Sequence, residues 1–192
     1  MYEVLFQRLN QLVFLNPRQQ QELRDVLQVI KRPKDDCFLE VGQVSNHIYF
    51  VQAGILRSFY TFEGKEVTQW FCFPNHFAAS YFSFAYRQPS KDCLSSLTEV
   101  TLLAISYNSL QQLIHQDKVW ADLNRRLLEH YYTMSLQRIA SFQVLSTAER
   151  YEQLLYEHPT IESEVPLGYL ASYLGMTQET LSRIRRRKKK RK

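Results

Sequence analysis

Apolar positions recur at helical spacing at both ends of the chain and at strand spacing between them. Leu5, Leu9, Leu12 and Val13 form one side of a short amphipathic helix, which Phe14 and Leu15 close ahead of Asn16-Pro17. Pro17 suits the first turn of a second helix, where no amide partner is needed. Leu23, Val26, Leu27 and Ile30 mark the inner side of that helix before Arg32-Pro33 ends it. From about Cys37 to Ser106 the period shortens. Phe38-Leu39 precede a turn at Gly42, His47 to Gln52 reads HIYFVQ, Gly54 breaks into ILRSFYTF, and Glu63-Gly64-Lys65 turns the chain into VTQWFCF. LTEVTLLAIS supplies one or two more strands. Short β-branched and aromatic strands with glycine or acidic turns, flanked by helices, predict an α+β chain built on an antiparallel barrel or jelly roll.

The helical period returns at about Tyr107 and persists to Ser141. Leu113, Trp120, Leu127 and Met134 are each seven apart, with Asp117, Asn124, Tyr131 and Arg138 four behind them. This is a seam between helices, with Leu113, Trp120, Leu127, Tyr131 and Met134 as its expected members; a long helix packed inside its own domain has the same pattern. Leu123, Leu128, Leu136 and Ile139 add a second apolar side. Ser146 sits three before Glu149, the spacing of a capping box, and opens a further helix through Tyr151, Leu154 and Leu155 that Pro159 stops. A hinge is expected near residues 142–145.

The last stretch reads EVPLGYLASYLGMTQETLSRIRRRKKKRK. Pro166 can start a helix, Leu167, Leu170, Ala171 and Leu174 give it one apolar face, and Gly175 ends it. Thr177 then caps a second helix seated by Leu181 and Ile184. Such a helix, tight turn and helix leaves Gln178, Glu179, Ser182, Arg183 and Arg186 facing away, where a major groove of double-stranded DNA can receive them. Arg183 can donate twice to a guanine edge, Glu179 can accept from cytosine, and Gln178 can pair with adenine. Ser182 is small enough for close approach. Tyr169, Thr177, Thr180, Arg186, Arg187 and Lys188 are phosphate-contact candidates, although Tyr169, Thr177 and Thr180 serve equally well in capping or packing.

Charge sharpens this picture. The chain of 192 residues carries a formal +5, yet Arg185 to Lys192 contribute eight positive charges, so residues 1 to 184 hold 16 basic and 19 acidic side chains and sum to −3. A slightly acidic body with a basic end fits phosphate-backbone contact, and equally a tag remnant or solubilising tail. The length fits a medium domain plus a small one. Cys37, Cys72 and Cys93 lack metal or redox-pair spacing, and an odd count without a secretory signal favours a reducing cytoplasm. No stretch approaches the ~20 apolar residues of a membrane span, so no membrane partner is expected. Paired histidines of a metal-dependent jelly roll, a phosphate loop, GxSxG and HExxH are all missing. The expectation is therefore a non-enzyme with no cofactor and no metal.

YLASYLGMTQETLSRIRR resembles the DNA-binding end of the Crp/Fnr family of bacterial transcription factors, and HIYFVQAGILRSFYTFEGKEVTQ resembles that family's cyclic-nucleotide-binding β-roll. The resemblance implies three parts: a jelly-roll-like β-roll with N-terminal helices over residues 1–106, a long dimerisation helix over 107–141, and a helix-turn-helix domain with a basic tail over 142–192. It implies a cytoplasmic homodimer on double-stranded DNA, and it admits RNA polymerase and an unidentified small-molecule effector as partners. In the family a short helix presents a glycine and a glutamate to the ribose, and an arginine-serine pair neutralises the cyclic phosphate. Here Ala79 and Ser80 stand near the first pair and Ser90-Lys91 at the second, so both key side chains are replaced. Arg87 or Lys91 can face an anion, but a lysine is no fork-shaped clamp. Tyr81, Phe82, Phe84 and Tyr86 supply bulk that fills this degenerate pocket, lines a site for another small apolar ligand, or forms a surface-loop hydrophobic cluster with no ligand. The family commonly continues into a β-hairpin wing, and a complete wing is not expected after Arg187. A different function class stays open: a ligand-binding signalling module whose C-terminal helices dock a protein.

Overall fold

The computed structural model describes residues 2–189, which divide into two compact units, one of residues 2–58 with 71–133 and the other of residues 59–70 with 134–189. The first unit opens with α1 (Glu3–Asn10) and α2 (Pro17–Val26). Asn16 caps α2 reciprocally. Its Oδ1 accepts from Gln19 N at 3.0 Å, Gln19 Oε1 accepts from Asn16 N at 3.0 Å, and Pro17 occupies the first turn. The expected continuation of α2 to Ile30 is overturned. Leu27 turns extended, and β1 (Gln28–Arg32) pairs antiparallel with β8 (Val100–Ser106), from Gln28 opposite Ala104 to Arg32 opposite Val100. Leu27 and Ile30 satisfy a helical period, but β-branched Val29 and Ile30 fit a strand at least as well, and a partner strand decides between them.

Six more strands follow: β2 (Cys37–Leu39), β3 (His47–Ala53), β4 (Leu56–Phe62), β5 (Lys65–Cys72), β6 (Phe77–Ala78) and β7 (Cys93–Ser96). They join β1 and β8 in two four-stranded sheets, ordered β1-β8-β3-β6 and β2-β7-β4-β5. Glu63 and Gly64, both at positive φ (50° and 74°), make the two-residue turn between β4 and β5 that matches strand twist. The unbroken apolar runs of β3 and β8 have a simple cause. Ile48, Phe50, Leu103 and Ile105 face a core built with the helices, whereas Tyr49, Val51, Leu102 and Ala104 face the core with Leu56 and Leu94 of the other sheet. Both faces are covered, so alternation disappears.

The long helix expected from residue 107 is broken. α4 (Tyr107–Gln116) ends at Asp117, which is extended, and α5 (Lys118–Val144) begins after it. Asp117 makes the break. Its carboxylate accepts from Val119 N at 3.1 Å and from Gln19 Nε2 at 2.9 Å, capping α5 and tying its start to α2. The heptad therefore crosses two helices, and two of its members leave the proposed seam: Leu113 and Trp120 lie in the unit's own core with Leu5, Leu23 and Phe50. Tyr131 also turns inward, its hydroxyl oxygen accepting from Phe77 N at 2.7 Å, and burial pushes its pKa up to about 12. Leu127 and Met134 are half-buried. The exposed apolar residues of α5 are instead Tyr132, Leu136 and Ile139, at 65%, 48% and 56% exposure, together with Phe142 and Val144 at its end.

Cys37 and Cys93 sit on the paired strands β2 and β7. Partial burial, with the neighbouring Cys93 thiol as the next cause, raises the Cys37 pKa, whereas full burial alone pushes Cys72 up to about 12. Separation along the chain concealed the first pair. Among the described residues no helix is long and apolar enough to cross a membrane, and no three metal-ligating side chains cluster.

Candidate nucleic-acid interface

The second unit holds α6 (Thr147–Glu157), α7 (Ile161–Glu164), α8 (Leu167–Tyr173) and α9 (Gln178–Lys189). Ser146 caps α6 with Glu149 in the capping box read from the sequence, and Glu149 is held ionised by those Ser146 bonds. α8 ends in a two-bond cap: Met176 N donates to Ala171 O at 3.0 Å and Gly175 N to Ser172 O at 3.1 Å. Gly175 is required there twice over. Its φ is +67°, and a Cβ would stand 2.7 Å from the Phe142 ring. Thr177 then accepts from Thr180 N at 3.2 Å and opens α9.

Leu181 is buried with Leu170, Ala171 and Leu174, which fixes how α9 is rotated. Gln178, Glu179 and Arg183 are exposed as a consequence, Ser182 is half-exposed, and Arg186 and Arg187 are exposed with no ion pair to another described residue. Thr177 is exposed, and Thr180 and Tyr169 are half-buried. Lys188 differs from expectation, because its Nζ lies 5.7 Å from the Tyr151 ring centroid, back toward α6. The part of the basic tail at 190–192 lies outside the described residues.

Three other arginines of this unit are committed internally. Arg138 stacks 3.8 Å from the Tyr173 ring and 5.2 Å from Trp70, and donates to Tyr173 O at 2.8 Å; burial lowers its pKa. Arg150 lies over Phe142 and donates to Leu145 O at 2.8 Å. Arg185 pairs with Glu162 at 2.6 Å, and Glu162 also accepts from the Tyr151 hydroxyl, whose pKa is raised by burial and by that bond. The β4–β5 segment Phe59–Trp70 belongs to this unit as well: Thr68 N donates to Ser172 Oγ at 2.9 Å. No sequence signal announces that docking.

The degenerate pocket in the first unit is arranged differently from expectation. Ser80 precedes α3 (Tyr81–Tyr86), and its Oγ lies 2.8 Å from Ser90 Oγ and donates to Asp92 Oδ1 at 2.5 Å. Ser90 Oγ reaches Asp92 O at 2.6 Å, and Ser58 Oγ donates to Asp92 Oδ2 at 3.1 Å. Three buried serines thus hold one carboxylate, a residue the sequence reading passed over. Of the alternatives for the aromatic residues, the arrangement is that of a surface cluster, with the Phe82 and Tyr86 rings 5.2 Å apart. Tyr81, Phe82 and Tyr86 are exposed, because a helix this short turns one side inward, and that side carries Ser83 and Phe84. Arg87 is not free to meet an anion: it donates to Ser45 O at 2.7 Å and to Asn46 Oδ1 at 2.5 Å and lies over the Tyr107 ring. Lys91 is exposed beside Phe82, and Ala79 packs against the helix-side core.

Residues 29–117 match the family described as cyclic nucleotide-binding domain. The fold is that of solved regulators of the Crp/Fnr type. Catabolite activator protein of Thermus thermophilus superposes with a TM-score of 0.59 at 18% identity, covering 92% of this chain and 84% of that one. FixK2 of Bradyrhizobium japonicum gives 0.73 at 16%, covering 84% of each. A chain described as a transcriptional regulator of the Crp/Fnr family from Eubacterium rectale gives 0.71 at 18%, covering 90% and 82%. No curated protein sequence matches significantly.

Proposed function

We propose that this chain is a sequence-specific DNA-binding transcription regulator of the Crp/Fnr type, acting as a homodimer and not switched by cyclic nucleotide in the usual way. The observation that carries the reading is the outward face of α9, where Gln178, Glu179, Arg183 and Arg186 stand exposed over a helix locked by buried Leu181. In this reading residues 1–106 sense, the helical region 107–141 dimerises and 142–192 binds DNA. Gln178, Glu179, Ser182 and Arg183 read bases, while Thr177, Thr180, Tyr169, Arg186 and Arg187 position the backbone. The pairing face moves from the heptad to Leu128, Tyr132, Leu136 and Ile139, spaced four, four and three along α5. A two-fold pair presents two recognition helices to half-sites ~34 Å apart. An unpaired cyclic phosphate has no clamp beside Asp92, since the nearby serines already hold a carboxylate.

Selecting bound sequences from a random duplex library, with and without cyclic AMP, tests the reading. A palindromic site, steep salt dependence and indifference to cyclic AMP are expected. Salt-insensitive binding to a protein, with none to DNA, would replace it by the docking-module alternative.

A further inference from the structure

β2 is the edge strand of its sheet, and its pairing with β7 brings two thiols to one face. Cys37 stands opposite Ser95. A bulge then sets Leu39 opposite Leu94, so Cys93 lies one step further along in the same direction. Phe38, Leu39 and Leu94 turn to the core between the sheets, which leaves Cys37, exposed, and Cys93, half-buried, on the outer face. Cys37 leans toward its neighbour: its Sγ donates to Leu39 O at 3.5 Å, along the strand on the side where Cys93 lies. Burial is the first cause of the raised Cys37 pKa and the charge of the Cys93 thiol the second, an influence that needs the two sulfurs close.

We propose that Cys37 and Cys93 are a redox-modification site, closed by a peroxide to a reversible disulfide that shifts β2 against the loop bonded to Ser90. One thiolate attacks a peroxide oxygen and breaks the O–O bond, giving a sulfenic acid and hydroxide. The other thiolate attacks the sulfenic sulfur and expels a second hydroxide. Both hydroxides take up the protons the thiols released, so two thiols and one hydrogen peroxide give one disulfide and two waters; each sulfur loses one electron and the peroxide gains two. Burial keeps the Cys37 thiol protonated at neutral pH, so closure is slow and answers sustained oxidant. Diagonal neighbours in an antiparallel pair lie ~7–8 Å apart, against the ~4.4–6.8 Å between the Cα atoms of a disulfide, so closure moves the backbone by about 1 Å. β2 has three residues and is paired on one side only, so it can yield, and the strain left in the bond makes it easy to reduce. The movement has a short path to the Ser80–Asp92 network. β2 runs on to Gly42 and Gln43, where Gly42 N donates to Ser90 O and Ser90 N to Gln43 O, both at 2.8 Å, and Cys93 directly follows Asp92. The bond stands without the DNA-binding reading; only its use as a regulatory signal rests on that reading.

The test uses the full chain, fully reduced and then exposed to a slight excess of hydrogen peroxide. Its free thiols are alkylated in denaturant and counted by mass, with buried Cys72 as the internal reference. Three thiols should fall to one, and peptide mapping should find Cys37 joined to Cys93. Millimolar reduced glutathione should restore all three. Cys72→Ala should close as the wild type does, whereas Cys37→Ser should form no bond within the chain. In the nitrogen-15-labelled protein the amide signals of Gly42 and Ser90 should move on closure, return with glutathione, and stay in place when Cys37→Ser meets the same oxidant. Three thiols remaining after oxidation, a bond to Cys72 or between two chains, a bond that survives glutathione, or Gly42 and Ser90 signals unmoved by closure would overturn the proposal. DNA binding enters none of these readings.

Discussion

The loop-helix region from Ala79 to Asp92 and the open face of α9 draw on the same kinds of side chain, serines, an acid and arginines, and dispose of them in opposite ways. Around Asp92 every one of them is bonded to the protein: Ser58, Ser80 and Ser90 to the carboxylate or to one another, Arg87 to Ser45 and Asn46. On α9, Gln178, Glu179, Arg183 and Arg186 point away from the helix that seats them. Residue type does not distinguish a binding surface from a structural polar network; the state of its hydrogen bonds does.

The strongest way to break the contrast is to remove the turn on which the open face depends. Gly175→Val forces a β-branched residue to φ +67° and drives a side chain into Phe142, so the C-terminal unit should lose about 4 kcal/mol and specific DNA binding with it. Urea unfolding followed by fluorescence measures the first effect and duplex binding the second. Wild-type stability in this variant would mean that the turn is not built as described. Asp92→Ala tests the closed region. It strips the acceptor from buried serine hydroxyls and should cost about 3 kcal/mol in the same assay, where a surface carboxylate would cost next to nothing.

Arg183→Ala and Arg186→Ala sharpen the open side. The first should lose ~1–3 kcal/mol at one base position of the selected site and relax preference there. The second should weaken all sequences alike and reduce the salt slope by about one. An Arg183→Ala protein with unchanged preference removes that side chain from base reading. Arg185→Ala is the internal control, since Arg185 already pairs with Glu162 and its loss should be felt in folding.

What the sequence disclosed follows the same division. The capping box at Ser146, the turn at Gly175 and the rotation of α9 were legible because each is fixed by residues close along the chain. The end of α2 was not, because Leu27 and Ile30 fit both periods and strand β8, some seventy residues away, makes the choice. Two expected seam members lie elsewhere for a related reason: a seven-residue period says that a face is apolar, and Leu113 and Trp120 found their partners within their own unit. Asp92 escaped notice because only Ser90 lies near it along the chain, while Ser80 and Ser58, which hold its carboxylate, stand 12 and 34 residues away.

Asp117 stands between the two extremes, a carboxylate bonded within the protein yet at the surface, and it gives the smallest expected effect. The Val119 amide, followed by the Gln19 side chain, holds its pKa below the ordinary carboxylate value. A depressed folded-state pKa means the unfolded chain takes up the proton first, so the stability it confers is present above the unfolded value of ~3.9 and is lost as the pH falls through the lower folded value. Asp117→Asn keeps an acceptor for Val119 N–H and removes the titration. Its stability should therefore decline less steeply than wild type below about pH 4, the variant being slightly the less stable at neutral pH, where it lacks the contribution of the charge, and the two converging in acid. Parallel acid limbs for the two proteins would show that the break between α4 and α5 rests on the shape of the cap and not on its charge.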